Sequence, residues 1–132
     1  MGMYTEAKLK FTITDRNSLQ FKALSEFCKY GEIETQEILD ALPWQEGRLK
    51  GLWGLSCGSC YFDDKTSSSQ IASTFNFNFN LKNYEHEIED FLGWISPVIE
   101  EGYIGTMQYE EWDVAQTIHK QGNFIRYTFP AD

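Results

Sequence analysis

The residues able to do chemistry are few. Cys57-Gly58-Ser59-Cys60 has the CxxC spacing shared by redox centres and half zinc sites. A redox thiol needs a helix N-terminus to lower its pKa. Here the motif sits in a glycine-rich extended stretch, and no helical pattern follows at once. A zinc site needs four ligands. A second CxxC is absent, which leaves Cys28, His86, His119 and carboxylates to complete one. The plainer reading of these cysteines is small residues in or near a core. His86 lies among Glu85, Glu87 and Glu89, and His119 lies between Ile118 and Lys120. General acid–base work needs an orienting acid and a reacting group beside the imidazole, and no such set can be assembled. Glu110 and Glu111 are a carboxylate pair in sequence only, because adjacent strand residues face opposite ways. Nucleophile-elbow, P-loop, dinucleotide-binding and HExxH patterns are absent, as is the DxDxDG order of a calcium loop. The sequence therefore assigns no catalytic residue, no metal and no cofactor, and points to a protein that is not an enzyme.

Charge is the more informative signal. The 132-residue chain has a net charge of −9. Between Asn83 and His119 lie nine acids and no Lys or Arg: Glu85, Glu87, Glu89, Asp90, Glu100, Glu101, Glu110, Glu111 and Asp113. The remainder has eleven acids and eleven bases, so the whole net charge resides in this span. A second acidic run, Glu32, Glu34, Glu37, Asp40 and Glu46, has no base between Lys29 and Arg48. Nucleic-acid binding through phosphate neutralisation needs clustered bases. This distribution is the reverse, so direct nucleic-acid and membrane partners are not expected. It suits a basic protein partner. Trp112, flanked by Glu110, Glu111 and Asp113, is a candidate anchor within an acidic rim. The competing reading is a solvated face that only keeps the protein soluble.

Size and composition limit the elements that can position these residues. A chain of this length with 42 % apolar and 16 % aromatic residues can form one domain, 1–132, with one core. No apolar run approaches the roughly 20 residues that span a bilayer. The N-terminus MGMYTEAKLK lacks the apolar stretch of a signal peptide, and the Ser/Thr of a myristoylation signal is missing after Gly2. A cytoplasmic location is the expectation. Three cysteines and no signal peptide argue against a disulfide framework.

Residues 4–14 alternate, with Ala7, Leu9, Phe11 and Ile13 in phase, which predicts a strand. Asp15 to Ser18 offers helix caps. Phe21, Leu24, Phe27 and Cys28 then recur at helical spacing until Gly31. Thr35 is positioned to cap a short helix that Pro43 ends. Residues 48–62 contain Gly51, Gly54 and Gly58 and predict an extended strand with a bulge. Residues 63–69 (DDKTSSS) predict a hairpin tip. Residues 71–81 include FNFNFN, with Phe75, Phe77 and Phe79 on a core face and Asn76, Asn78 and Asn80 on an uncharged outer face. Tyr84, Ile88, Phe91, Leu92, Ile95 and Ile99 mark an amphipathic helix capped by Asn83 and stopped near Pro97. Residues 103–112, 116–120 and 124–129 predict three more strands, the last two flanking a Gln121-Gly122-Asn123 turn. The fold class is α+β: a mostly antiparallel sheet with two main helices on one face. Its β-α-β-β-α-β core order is ferredoxin-like, with an inserted short helix and an added C-terminal hairpin.

Three functions fit this pattern. The leading one is a non-enzymatic acidic protein that binds and inhibits a basic, nucleic-acid-binding effector by mimicking nucleic acid. In size, single domain and acid segregation it resembles small phage-encoded inhibitors of nucleases, including some anti-CRISPR proteins, and some acidic immunity proteins. The second is a small-molecule-binding or enzymatic domain with a pocket along the glycine-rich segment 47–62, lined by Trp53, Cys57 and Cys60. The third is an oligomer pairing through a free sheet edge.

Overall fold

Alternation in the two most apolar strands determines the centre of the structure. The computed structural model describes residues 3–66 and 71–130, leaving out the side chains of residues 57, 62–66, 71 and 72. β1 (Thr5–Ile13) and β3 (Ile71–Leu81) pair antiparallel with Phe11 opposite Phe75 and Leu9 opposite Phe77. One shared face carries Ala7, Leu9, Phe11, Ile13, Phe75, Phe77, Phe79 and Leu81, all buried. The other carries Lys8 opposite Asn78 and Lys10 opposite Asn76. β2 (Ser59–Thr66) flanks β3, and β4 (Gly102–Tyr109), β5 (Gln116–Gln121) and β6 (Phe124–Thr128) follow on the side of β1. The result is one six-stranded antiparallel sheet in the order β2-β3-β1-β4-β5-β6.

The helices cover the apolar face. α1 (Leu19–Tyr30) begins at Ser18, whose hydroxyl accepts from the Phe21 amide at 3.1 Å, and ends at Gly31 in the left-handed conformation. α3 (Glu87–Ile95) buries Ile88, Phe91, Leu92 and Ile95, and Phe91 meets Phe77 edge-on at 6.0 Å. On α1, Phe21 meets Phe75 at 6.0 Å, so both helices rest on β3. Pro97 sits in a single 3-10 turn, Ser96–Val98, that closes α3 as its ring requires. Trp94 packs between Phe91 and Trp44 at the edge of this core. Among the described residues no helix is long and apolar enough to cross a membrane.

Several expectations are corrected. Residues 50–57 are not extended. They form 3-10 turns broken at Gly51 and Leu52, which both have positive φ. Leu52 and Leu55, three apart, lie on one side of these turns and are fully buried, so core burial holds Leu52 in a strained backbone region. The strand starts only at Ser59 and runs on to Thr66, so Asp63 and Asp64 are in β2 and not in the hairpin tip; residues 67–69 of that tip lie outside the described ones. Tyr84 and Asn83 precede α3. Asn83 still caps it, accepting from the Ile88 amide at 2.7 Å.

Thr35 does not cap α2 (Gln36–Ala41) with its side chain. Its hydroxyl donates to Glu26 Oε2 at 2.7 Å, while Glu26 Oε1 accepts from the Glu34 and Thr35 amides at 3.0 Å each. Partial burial pulls the Glu26 carboxyl up, but the hydrogen bonds from Thr35 and Glu34 outweigh it and hold the group below its ordinary 4.5. A depressed carboxylate pKa stabilises the fold above the unfolded value, and that contribution is lost as pH falls through the folded value. The stability difference between the wild type and Glu26→Gln should therefore be full near neutral pH and shrink as pH falls below about 4.5. Urea titrations at several pH values read this directly; a difference independent of pH would refute it.

Candidate functional site

The start of α3 has an unusual backbone and a dense set of acids. His86, in the N-cap position, has φ 61. It is held there by side chains on both sides. Asn83 Nδ2 donates to Glu89 Oε1 at 2.6 Å, and Glu89 Oε2 lies 3.0 Å from His86 Nδ1. That contact to Glu89 raises the His86 pKa, with Asp90 and Glu87 adding to it. Glu87 Oε1 accepts from the Glu85 amide at 2.9 Å. Carboxylates here also face the positive end of the helix dipole, which offsets part of their mutual repulsion.

β1 and β4 bring a second acidic group to the same end. The Met3 amide donates to the Tyr84 hydroxyl at 2.8 Å, and the Tyr4 amide donates to Glu110 Oε1 at 3.0 Å. Adjacent amides just ahead of β1 thus tie the α3 entrance to the turn after β4. The electrostatics agree. Burial raises the Tyr109 pKa, and Glu111, Tyr84 and Glu110 raise it further. Burial likewise raises Tyr127, with Glu89 and Asp90 contributing. Glu85, Asp90, Glu110, Glu111 and Asp113 are exposed at this end, and Glu89 is half-buried.

Open cavities mark the surface at this end. One of about 480 Å³ is lined by Glu46, Arg48, Glu85, Glu87 and Asp90 with Trp44 at its wall. Another, about 600 Å³, is lined by Tyr4, Glu6, Asn80, Gln108, Tyr109 and Glu110. Glu46 and Glu6 were not in the sequence-derived set. Glu46 belongs to the second acidic run noted in the sequence, but only tertiary packing sets it beside Glu85. Glu6 lies on the polar side of β1, and its pairing with Gln108 depends on strand register.

Not every residue of the acidic span is available at this surface. Glu87 is 7 % exposed and its Oε2 lies 2.9 Å from Arg48, so it is committed to the fold. Glu100 and Glu101 lie at the opposite end of β4, where the Glu100 amide donates to the Thr12 carbonyl. Glu101 Oε1 accepts from the Gly122 amide at 2.6 Å. At about 3.3 Å per residue, β4 separates them from Glu110 by roughly 30 Å. Glu110, Glu111 and Trp112 follow β4 in a turn and do not continue the strand as expected, so strand alternation no longer separates the two carboxylates. The Trp112 ring is half-buried, 4.9 Å from Phe129 and 6.0 Å from Tyr109, and its backbone carbonyl accepts from Gln108. It supports the turn more than it protrudes.

The remaining candidates separate. Cys60 opposes Phe77 on the core side of β2, and both Cys60 and Cys28 of α1 pack against the core. The neighbouring Cys60 thiol, together with burial, pushes the Cys28 thiol up. The Cys57 side chain is among those left out of the description. Among the described residues no group of three or more His, Cys, Asp or Glu side chains is arranged to hold a metal. His119 lies 5.5 Å edge-on from Tyr103. Trp53 is exposed and, with Gly54, Tyr4 and Arg48, borders a cavity of about 370 Å³. Gly58 packs against the Asn78 carbonyl, where a Cβ would collide, so its lack of a side chain serves packing there. Comparison of the chain with protein-family models, curated proteins and solved structures gives no match.

Proposed function

We propose that this protein is a non-enzymatic binding protein whose acidic end engages a basic protein partner, standing in for nucleic-acid phosphates on a nucleic-acid-binding effector and inhibiting it. The observation that carries the reading is the tie made by the Met3 and Tyr4 amides, which gathers acids from residues 85–90 and 110–113 at one end of the sheet. Complementary charge mainly raises association rate and selectivity, and half-exposed rings such as Tyr4 and Tyr109 at the same end supply apolar contact. A ferredoxin-like core is part of the proposal. It is supported by the antiparallel order β2-β3-β1-β4 with α1 and α3 as its connections, α2 inserted and β5–β6 appended.

The test uses acids without structural hydrogen bonds. Glu85, Asp90, Glu111 and Asp113 changed together to Lys should weaken binding to a captured basic partner by at least about a hundredfold, mostly through the association rate. Duplex DNA should compete with the wild type for that partner. Glu100→Lys with Glu101→Lys, at the far end, should leave binding nearly unchanged. Equal affinity for wild type and the quadruple variant at low salt, or equal loss from either set, would remove the acidic end from consideration.

A further inference from the structure

Among the described residues nothing covers the sheet face opposite the helices, and its chemistry differs from that of the acidic end. A cavity of about 370 Å³ opens on it, bounded by Lys8, Lys10, Tyr61, Asn76, Asn78 and Tyr103. No Asp or Glu is among its described lining residues, in a molecule of net charge −9. Both tyrosines are well exposed, at 61 % and 60 %. Glu6 Oε1 lies 3.6 Å from Lys8 Nζ, an exposed pair that water screens, and Lys10 has no carboxylate partner among the described residues.

We propose that this cavity binds a small phosphate-bearing planar ligand of the nucleoside monophosphate class. The register fixes the arrangement. Tyr61 is opposite Asn76, and Asn76 is opposite Lys10. Neighbouring strands lie about 4.8 Å apart, so Tyr61 and Lys10 are separated by roughly 10 Å, close to the length of one nucleotide. Lys8 and Lys10 are two residues apart on one face, about 7 Å, and both can donate to one phosphate. The base stacks on Tyr61, and the Asn76 and Asn78 amides offer a donor and an acceptor each to its edge or to the sugar. Tyr103 closes the far side, backed by His119. The net charge of the whole molecule opposes a long polyanion, whereas a small ligand responds mainly to the local field of the two lysines. The alternating Asn residues of β3 thereby gain a role that a polar coat would not need.

The test is titration of the intact protein with adenosine 5′-monophosphate, followed by calorimetry and by amide chemical shifts. Binding at about 1 mM or tighter is expected, with shifts at Lys8, Lys10, Asn76 and Asn78. Adenosine alone and inorganic phosphate alone should each bind at least about tenfold more weakly. Lys10→Gln and Tyr61→Ala should each lower affinity about tenfold, with unchanged melting curves, and Tyr61→Phe should retain binding. No binding by the folded protein at millimolar nucleotide would overturn the proposal. So would equal affinity for phosphate alone, which is a plain anion site, or affinity that climbs with the length of an oligothymidylate, which is a strand-binding surface. Equal losses in Tyr61→Phe and Tyr61→Ala would overturn the stacking assignment.

Discussion

A Phe77→Ala variant is expected to lose about 3–5 kcal/mol of stability, the cost of removing a large ring from a filled core, and to melt roughly 10–20 °C earlier. Phe77 is 2 % exposed at the centre of the sheet. Its ring stacks on Phe11 at 5.9 Å and meets Phe79 and Phe91 edge-on at 6.4 and 6.0 Å. Truncation would leave three rings from two strands and a helix facing one void, and the neighbouring backbones are held by the ladder and cannot close it. Asn78→Ala, one residue on, should cost less than about 1 kcal/mol because that side chain is exposed. Urea denaturation of both variants checks the contrast. A loss below about 1 kcal/mol for Phe77→Ala would mean that this side of the sheet is not a packed core.

Gly105→Ala should be nearly as damaging through a different mechanism. Gly105 has φ 148, outside the range that L side chains readily adopt, and a Cβ there would strike the Lys8 carbonyl oxygen. It also lies at the irregularity where the β4–β5 register shifts. Substitution should cost on the order of 3 kcal/mol. The loss falls on the β1–β4 pairing, so amide exchange across β4, β5 and β6 should accelerate before that of β3. Gly93→Ala is the matching control. It lies in α3 with open space around its α-carbon, and alanine there should stabilise by about 0.5–1 kcal/mol. If Gly105→Ala proved as benign as Gly93→Ala, the close approach of β4 to β1 would be wrong.

Elements with a clean period were legible from the sequence. The alternation of Ala7 to Ile13 and of Phe75 to Leu81 gave both central strands, and the 3- and 4-residue steps from Ile88 to Ile95 gave α3. Ser18 and Gly31 marked the ends of α1. Residues 50–57 were not legible, because the spacing of Leu52 and Leu55 is a 3-10 signature too short to distinguish from a bulged strand. The end of β4 was misplaced because Trp112 offers one more strand-favouring aromatic, although the alternation already breaks at Glu110-Glu111, where the backbone turns. The acidic surface was half legible. A charge count along the chain found the acids, but only β1 lying between β3 and β4 brings Glu85 near Glu110. The direction of β4 carries Glu100 and Glu101 away. The Tyr61–Asn76–Lys10 row could not be read at all, since it joins three strands whose pairing depends on registers that no local pattern encodes.

The gathering of acids at one end has a consequence for motion through solution. Five exposed carboxylates sit at that end, while Lys8 and Lys10 stand on the bare face of the sheet. Such a molecule has a permanent electric dipole as well as a net charge. In the field of a cationic surface it experiences a torque, and it turns before it touches. At physiological salt that torque acts only within about 8 Å, so it leaves distant diffusion unaltered and shortens the rotational search in the last step of an encounter.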